Sequence, residues 1–192
     1  FDLGDISSRI LFIYFLAGLI AMPLWMKISY KIGKHNALIV SALLCFAVLA
    51  TYFPLPLFID ISDAFWTVII LTTLYGIGYG APFTLTRALM ADIVDADELR
   101  SGEKRPALFF SVLTTLSKFG SAIAVGTVYL YLESIGFGSS NFVSQEIKNS
   151  LLFAFSFFPM LLYFLAAMVC IGYELTPEKH KQIQIELESK SS

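Results

Sequence analysis

Five long stretches of the chain contain almost no charged residues, and they limit the possible folds more than any other feature. They cover residues 10–26, 37–59, 64–86, 107–132 and 151–173. A membrane-spanning helix needs about 20 mostly apolar residues, a length that the first stretch reaches if Ser8 and Arg9 lie at the interface. Strands of a membrane barrel are about ten residues long and alternate apolar with polar side chains, unlike these stretches. The predicted fold is therefore all-α, a polytopic membrane protein with five transmembrane helices.

The composition excludes an ordinary soluble domain. Charged residues make up 15% of the chain and hydrophobic residues 57%, whereas soluble domains contain roughly 25% charged residues. A net charge of -2 without a compact basic patch gives no indication of a nucleic-acid partner. Residues 1–174 are expected to form a transmembrane domain in the lipid bilayer, with spans at about 9–26, 37–59, 64–86, 107–132 and 151–173, followed by a tail over residues 175–192.

The distribution of basic residues predicts the orientation of these spans. Ten of the Lys and Arg residues fall in connections on one face, and only Arg9 and Lys148 fall on the other. Because cytoplasmic loops are enriched in Lys and Arg, the first face is expected to be cytoplasmic. The beginning of this chain is then external and its tail cytoplasmic, in the cell membrane. An odd number of spans, and a first residue that is Phe1 instead of Met, favour a piece of a longer protein.

Lys118 lies in the middle of the fourth apolar stretch, where no other charge is present. The eleven residues from Ala107 to Lys118 rise by roughly 16 Å, about half of the hydrocarbon thickness. A cation there costs roughly 2.5 to 3.5 kcal/mol on insertion scales, so it is expected to face a protein interior or a solute or ion pathway. On a helical wheel it shares a face with small and hydroxylated residues, among them Ser111, Thr114, Thr115 and Ser121. The alternative is a purely structural cation bonded to a neighbouring helix.

Two glycines and two tyrosines in the third apolar stretch form a second candidate site. Gly76 and Gly80 are four residues apart, a spacing that permits close helix packing. Pro82 follows and frees a backbone carbonyl, so a hinge is the alternative interpretation. In that interpretation Tyr75 and Tyr79 are available to stack on a sugar ring.

The segment 91–105, predicted to be a cytoplasmic loop, is dense in charge. Its charged residues are Asp92, Asp95, Asp97, Glu98, Arg100, Glu103, Lys104 and Arg105. The spacing of the acids does not match a calcium-binding loop, and no metal is expected. A network of ion pairs that joins the cytoplasmic helix ends explains the pattern better, and such a network can open when helices rock apart.

This segment also carries a family resemblance. The string ADIVDADELRSGEKR, followed by a span that contains Lys118, resembles the loop before the eleventh helix of glycoside-pentoside-hexuronide:cation symporters, the melibiose-carrier branch of the major facilitator superfamily. The stretch from Pro23 to Lys34, which includes Lys31 and Gly33, is similar to the loop between that family's eighth and ninth helices. The five spans then correspond to helices eight to twelve.

The resemblance implies a secondary transporter that moves a sugar or glycoside with Na⁺ or H⁺ by alternating access, without a further cofactor. It also implies that Lys118 lies near the cation and sugar sites. The cation-coordinating carboxylates of the family lie in an amino-terminal half, which is therefore expected to be a missing partner. Two positions depart from the family pattern: Tyr30 replaces an acid that can form a charge-pair gate, and Pro106 and Ala107 replace a Glu-Gly pair.

Three other interpretations remain open at this point. A major facilitator carrier of a lipid or drug would share this scaffold, and a non-transporting remnant or assembly subunit would explain the missing half. A membrane enzyme is disfavoured, because no Ser/His/Asp set, HExxH motif or pair of carboxylates lies within a predicted span.

Overall fold

The computed structural model describes residues 4–55, 65–137, 144–173 and 175–191. Its helices are α1 (Gly4–Ile32), α2 (Lys34–Tyr52), α3 (Phe65–Ser101), α4 (Pro106–Ser134), α5 (Gln145–Cys170) and α6 (Pro177–Ser191). Helices α1 to α5 are each long and apolar enough to cross a membrane. The prediction of an all-α chain with five such helices is confirmed.

The segment 91–105 is largely helical, which corrects the prediction of a loop. Helix α3 continues without a break from the membrane-spanning part to Ser101. The residues after Arg87 are mostly good helix formers, such as Ala, Leu, Met and Glu, so nothing in the local sequence ends the helix earlier. Gly102 ends it with a positive φ of 75°, and its N–H donates to the carbonyl of Glu98 at 2.9 Å. The acids of this segment therefore stand on a rigid helix.

Helices α1 and α3 approach each other most closely where both carry glycine. A Cβ atom on Gly76 would collide with the backbone carbonyl of Tyr14, and one on Gly80 would collide with that of Gly18. In the other direction, a Cβ on Gly18 would lie 3.1 Å from the carbonyl oxygen of Gly76. The glycine pair of α3 thus serves close helix packing, and α3 remains helical through Pro82.

The core of the bundle lies where α1, α2 and α3 meet. Ala21 and Trp25 of α1 pack there with buried residues of the other two helices: Ala37, Leu38, Ala81 and Leu85. The indole N–H of Trp25 donates to the carbonyl of Ile77 at 2.7 Å. This bond satisfies the one polar group of a buried indole, and it ties α1 to α3 within the apolar region.

Helix α2 lies between α3 and α5. A Cβ on Gly78 of α3 would stand only 2.5 Å from the Sγ atom of Cys45, so glycine allows α2 to pack against this side of α3 as well. On its other side α2 packs against α5, where the rings of Phe46 and Phe164 are 5.9 Å apart. Cys45 is a fully buried free thiol, whereas Cys170 is partly exposed.

Helix α4 contrasts with this bundle, because none of its residues is buried. It touches α3, and near its end the Tyr131 hydroxyl donates to the carbonyl of Ser150 at 3.0 Å. Apart from the adjacent backbone of α4, no atom of the described residues stands within 4 Å of a Cβ built on Gly120 or on Gly126. The fourth helix is therefore attached to the rest of the described chain mainly at its ends.

Candidate solute pathway and charge network

Lys118 projects from α4 as an exposed side chain. Within the described residues it forms no hydrogen bond and no ion pair. The nearby hydroxyl groups are engaged by their own helix: Ser111 donates to the carbonyl of Leu108 at 2.7 Å, and Ser121 to that of Ser117 at 3.0 Å. Thr114 makes the same kind of bond to Phe110 at 2.8 Å, and Thr115 is exposed beside it. These bonds satisfy three of the hydroxyls inside an apolar helix, whereas the Lys118 ammonium has no partner among the described residues.

Tyr75 and Tyr79 lie on one face of α3, where a third tyrosine joins them. The ring of Tyr14 on α1 stacks on Tyr75 at 5.6 Å with an angle of 24° between the planes, and it lies 5.5 Å from the ring of Tyr79. Tyr163 of α5 meets Tyr75 edge to face at 6.0 Å. Tyr79 is the outermost of the group, with 42% of its surface exposed. Aromatic pairs at these separations are mutually stabilising.

Tyr14 was not identified from the sequence, because its role depends on which face of α1 meets α3. No local motif marks it, whereas the pair Tyr75 and Tyr79 can be recognised from its spacing of four. No hydrogen bond or ion pair connects Lys118 with this tyrosine group in the described part of the chain. The two parts of the predicted pathway are therefore not in contact within the described residues: Lys118 lies on α4, and the tyrosines lie on α1 and α3.

A partly buried ion pair joins the beginning of α2 to the carboxyl-terminal part of α3. The Lys34 ammonium donates to both carboxylate oxygens of Asp92, at 2.6 and 2.7 Å, and also approaches the carbonyl of Ala88 at 3.4 Å. The Asp92 side chain is only 9% exposed. Gly33 precedes Lys34 with a φ of 89°, a conformation that favours glycine and allows α1 and α2 to meet at a sharp corner. A buried carboxylate of this kind is strongly destabilising if its partner is removed.

His180 of α6 docks on the same carboxylates. Its Nε2 atom lies 3.0 Å from an oxygen of Asp95 and 3.4 Å from an oxygen of Asp92. Thr176 precedes α6, and its hydroxyl accepts a hydrogen bond from the N–H of Lys179 at 3.4 Å, which caps the helix. These contacts hold the tail helix against α3. His180 was not identified from the sequence, since one histidine in a polar tail carries no distinguishing signal.

Tyr173 lies beside this cluster, just after the end of α5. Its hydroxyl is buried and has no hydrogen-bond partner within the described residues. Burial, and to a smaller extent the negative charge of Asp92, raise the pKa of this hydroxyl above the ordinary value for tyrosine. The neutral phenol is therefore the form that fits here.

The remaining charged residues form a looser group between α3 and α4. Arg105 pairs with Asp97 at 2.9 Å and with Glu103 at 3.7 Å, and Lys104 approaches Glu98 at 3.6 Å. These side chains are partly or largely exposed, and such pairs contribute about 0–1 kcal/mol each. Arg100 and Lys31 are exposed and have no ion pair in the described part of the chain.

Comparison with known proteins identifies the kind of molecule that carries these features. Residues 5–177 match the family described as MFS/sugar transport protein. The sodium-dependent lysophosphatidylcholine symporter 1-B of Danio rerio is 23% identical over 91% of this chain and 33% of its own length. The glucuronide carrier protein homolog of Escherichia coli is 25% identical over 91% of this chain and 37% of its own length. The uncharacterized symporter YjmB of Bacillus subtilis is 30% identical over 64% of this chain and 27% of its own length.

The chain belongs to the MFS/sugar transport family, since the match covers nearly all of it. It is thus a multi-pass membrane protein of a transporter family, not of an enzyme family, which confirms the family resemblance seen in the sequence. The chain spans only part of the length of these relatives. It covers 33% of the Danio rerio symporter 1-B and 22% of the uncharacterized symporter sll1374 of Synechocystis.

Proposed function

We propose that this chain is the carboxyl-terminal part of a secondary active transporter that moves a sugar or related solute in symport with Na⁺ or H⁺. The proposal is supported by membership of the MFS/sugar transport family and by relatives that are named symporters. Alternating access in such carriers requires two repeats with the solute site between them. The chain would supply one wall of that site, and an amino-terminal half would supply the other.

The observation that carries the proposal is the unpaired ammonium of Lys118 on a helix with no buried residue. A lysine in the apolar part of a transmembrane helix is normally paired or faces water. In the complete carrier, Lys118 would interact with the carboxylates of the cation site or with the solute. The hydroxyl-bearing face around it, with Ser111, Thr114, Thr115 and Ser121, would line the same space.

The inner-face charges would form part of the cytoplasmic gate. The pair between Lys34 and the buried Asp92 would hold this half together as a rigid unit during transport. Lys31 and Arg100, which are exposed, would be the groups that meet the opposite half when the inner face closes. In this scheme the gate opens between the two halves and leaves the contacts inside this chain unchanged.

Two solute classes have direct support. The family description and the glucuronide carrier homolog favour a sugar or glycoside, and the tyrosine group on α1 and α3 offers flat faces for a sugar ring. The relatives named lysophosphatidylcholine symporters favour a lipid. Uptake of radiolabelled glucuronides and of labelled lysophosphatidylcholine into cells that express the complete carrier would separate the two. Saturable uptake of the lipid alone would exclude the sugar proposal.

Substitution of Lys118 in the complete carrier tests the proposed site. We expect Lys118→Ala and Lys118→Arg to insert normally and to lose most cation-driven accumulation, because the larger planar guanidinium cannot replace a compact ammonium. Lys148, near the start of α5 and at the opposite end of the predicted spans from the cytoplasmic face, provides the control substitution. Accumulation at the wild-type level in Lys118→Ala, with normal expression, would leave Lys118 only a structural role.

The proposal also includes the orientation of the chain in the cell membrane. With the first residues external and the tail cytoplasmic, a cysteine at Ser140→Cys should react with an impermeant maleimide in intact cells, and one at Ser189→Cys should not. Position 140 lies outside the described residues, within the predicted external connection. The opposite labelling pattern would reverse the orientation.

Expression of the 192 residues alone separates a piece of a carrier from an independent transporter. We expect no solute-stimulated cation flux in vesicles, because one repeat lacks the opposite wall of the site. Robust flux would refute the proposed division into two halves. If a complete gene product with both halves also failed to transport, a non-transporting assembly subunit would be the better interpretation.

A further inference from the structure

A cavity lies at the inner ends of α1, α2 and α3, where α6 covers them. It has a volume of about 370 Å³. Its lining residues include Tyr30, Lys34, His35, Asp92, His180, Lys181 and Gln184, with Leu89, Leu175 and Pro177 as apolar walls. The cavity is separate from Lys118 and from the tyrosine group, so the proposed solute pathway makes no use of it.

The electrostatics of the lining favour an anion. Asp92 is the one acid among the lining residues that the structure describes, and the ammonium of Lys34 already neutralises it at 2.6 Å. His180 approaches the same carboxylate at 3.4 Å. Lys181 is then the uncompensated charge of the lining, and His35 adds a second imidazole. Lys31 and Lys179 stand nearby in sequence, but the acids Asp95, 3.0 Å from His180, and Glu178 offset them, so the excess positive charge of the lining is that of Lys181.

Several hydrogen-bond donors of the cavity are available to a ligand. The side chains of Tyr30, Lys181 and Gln184 make no hydrogen bond within the described part of the chain. Tyr30 is 75% exposed, and Lys181 and Gln184 are exposed as well. A phosphate group, with several acceptor oxygens and a negative charge, matches such a set of donors.

The position of the cavity indicates the source of that phosphate. Helix α1 ends at Ile32 and α2 begins at Lys34, so this corner lies where two candidate membrane spans meet water. An exposed tyrosine beside lysines is typical of the interface, where lipid headgroups lie. Basic pockets between transmembrane helices at this level bind anionic headgroups. We propose that this cavity binds the phosphate group of an anionic phospholipid from the adjoining leaflet, with Lys181 as the main charged contact.

Lipid retention by the 192-residue chain in nanodiscs tests the proposal without a transport assay. The probe is phosphatidylglycerol, titrated into nanodiscs of phosphatidylcholine, and the bound lipid is counted by native mass spectrometry after release of the chain. Lys181→Gln should weaken retention about fivefold, since a basic residue near the surface contributes about that factor. Lys181→Arg should retain most of the binding.

Lys190→Gln is the matched control, because it removes the same charge from the same helix outside the cavity. Lys34 is left unchanged, since its removal would leave Asp92 buried without a partner. Equal retention by the wild-type chain, Lys181→Gln and Lys190→Gln would overturn the proposal. Displacement of phosphatidylglycerol by millimolar inorganic phosphate would also overturn it, because the cavity would then be a site for small soluble anions.

Discussion

Helices α3 and α4 both carry glycines within long apolar stretches, but only the glycines of α3 lie in close contact with another described helix. On α3, Gly76 and Gly80 lie against the backbone of α1, so closely that a methyl group would collide. On α4, Gly120 and Gly126 have open space where a Cβ would stand. The first pair of glycines has its partner helix within this chain, and the second does not have one among the described residues.

The difference shows that small residues on one helix produce close packing only where a second helix lies against them. In lipid, helices associate through close packing and polar contacts, because lipid tails remove the hydrophobic advantage of association. The α1–α3 pair gains both, through the glycines and the bond from Trp25 to Ile77. Helix α4 offers small residues and a lysine that is unpaired among the described residues, as the proposed contact with a second half of the carrier requires.

The largest effect is expected from filling the contact between α1 and α3. Gly76→Ala or Gly80→Ala would force the two helices apart, and overpacking of this kind destabilises by about 1–3 kcal/mol. Thermal unfolding of the purified chain in detergent, followed by circular dichroism, measures the loss. An unchanged melting temperature in both variants would mean that close packing of α1 and α3 does not stabilise the chain. The contrast with α4 would then have no consequence for stability.

A smaller loss is expected when the polar link between the same helices is removed. Trp25→Phe deletes the donor to the Ile77 carbonyl, which contributes about 1 kcal/mol. Trp66→Phe is the matched control, because Trp66 is 70% exposed on α3. These are the two tryptophans of the chain, so fluorescence of each single-tryptophan variant also reports its surroundings. Equal stability of the two variants would contradict the role of Trp25 as an anchor.

The glycines of α4 should respond in the opposite direction. The added methyl group of Gly120→Ala or Gly126→Ala would meet no neighbouring element among the described residues, and alanine favours a helix over glycine by up to about 1 kcal/mol. The isolated chain should therefore become slightly more stable. In the complete carrier the same substitutions should impair assembly or transport. Higher stability of the isolated chain together with unimpaired assembly and transport of the complete carrier would argue against a partner helix at this face.

The smallest effect is expected from Lys118→Ala in the isolated chain. Its side chain is exposed and unpaired within the described residues, so the free energy of unfolding should change by less than about 0.5 kcal/mol. Urea or thermal unfolding in detergent provides the measurement. A loss above 1 kcal/mol would show that Lys118 already has a structural partner inside these 192 residues.

The charge network was only partly predictable from the sequence. The density of acids in the segment 91–105 indicated ion pairs at helix ends, but not which acid would be buried. Asp92 pairs with Lys34, which is 58 residues away, and Asp95 contacts His180, which is 85 residues away. The loop prediction for the same segment was wrong, because charged residues such as Glu and Arg are compatible with a helix that extends beyond the membrane.

The sequence by itself determined the class of fold, the number of long apolar helices and the family, because apolar length and local motifs are properties of contiguous residues. The tertiary structure alone decided which faces of those helices are in contact. It brought Tyr14 to Tyr75, docked His180 on α3 and left Lys118 exposed. Such contacts depend on how each helix is rotated and placed relative to its neighbours, which the periodicity of a single helix does not specify.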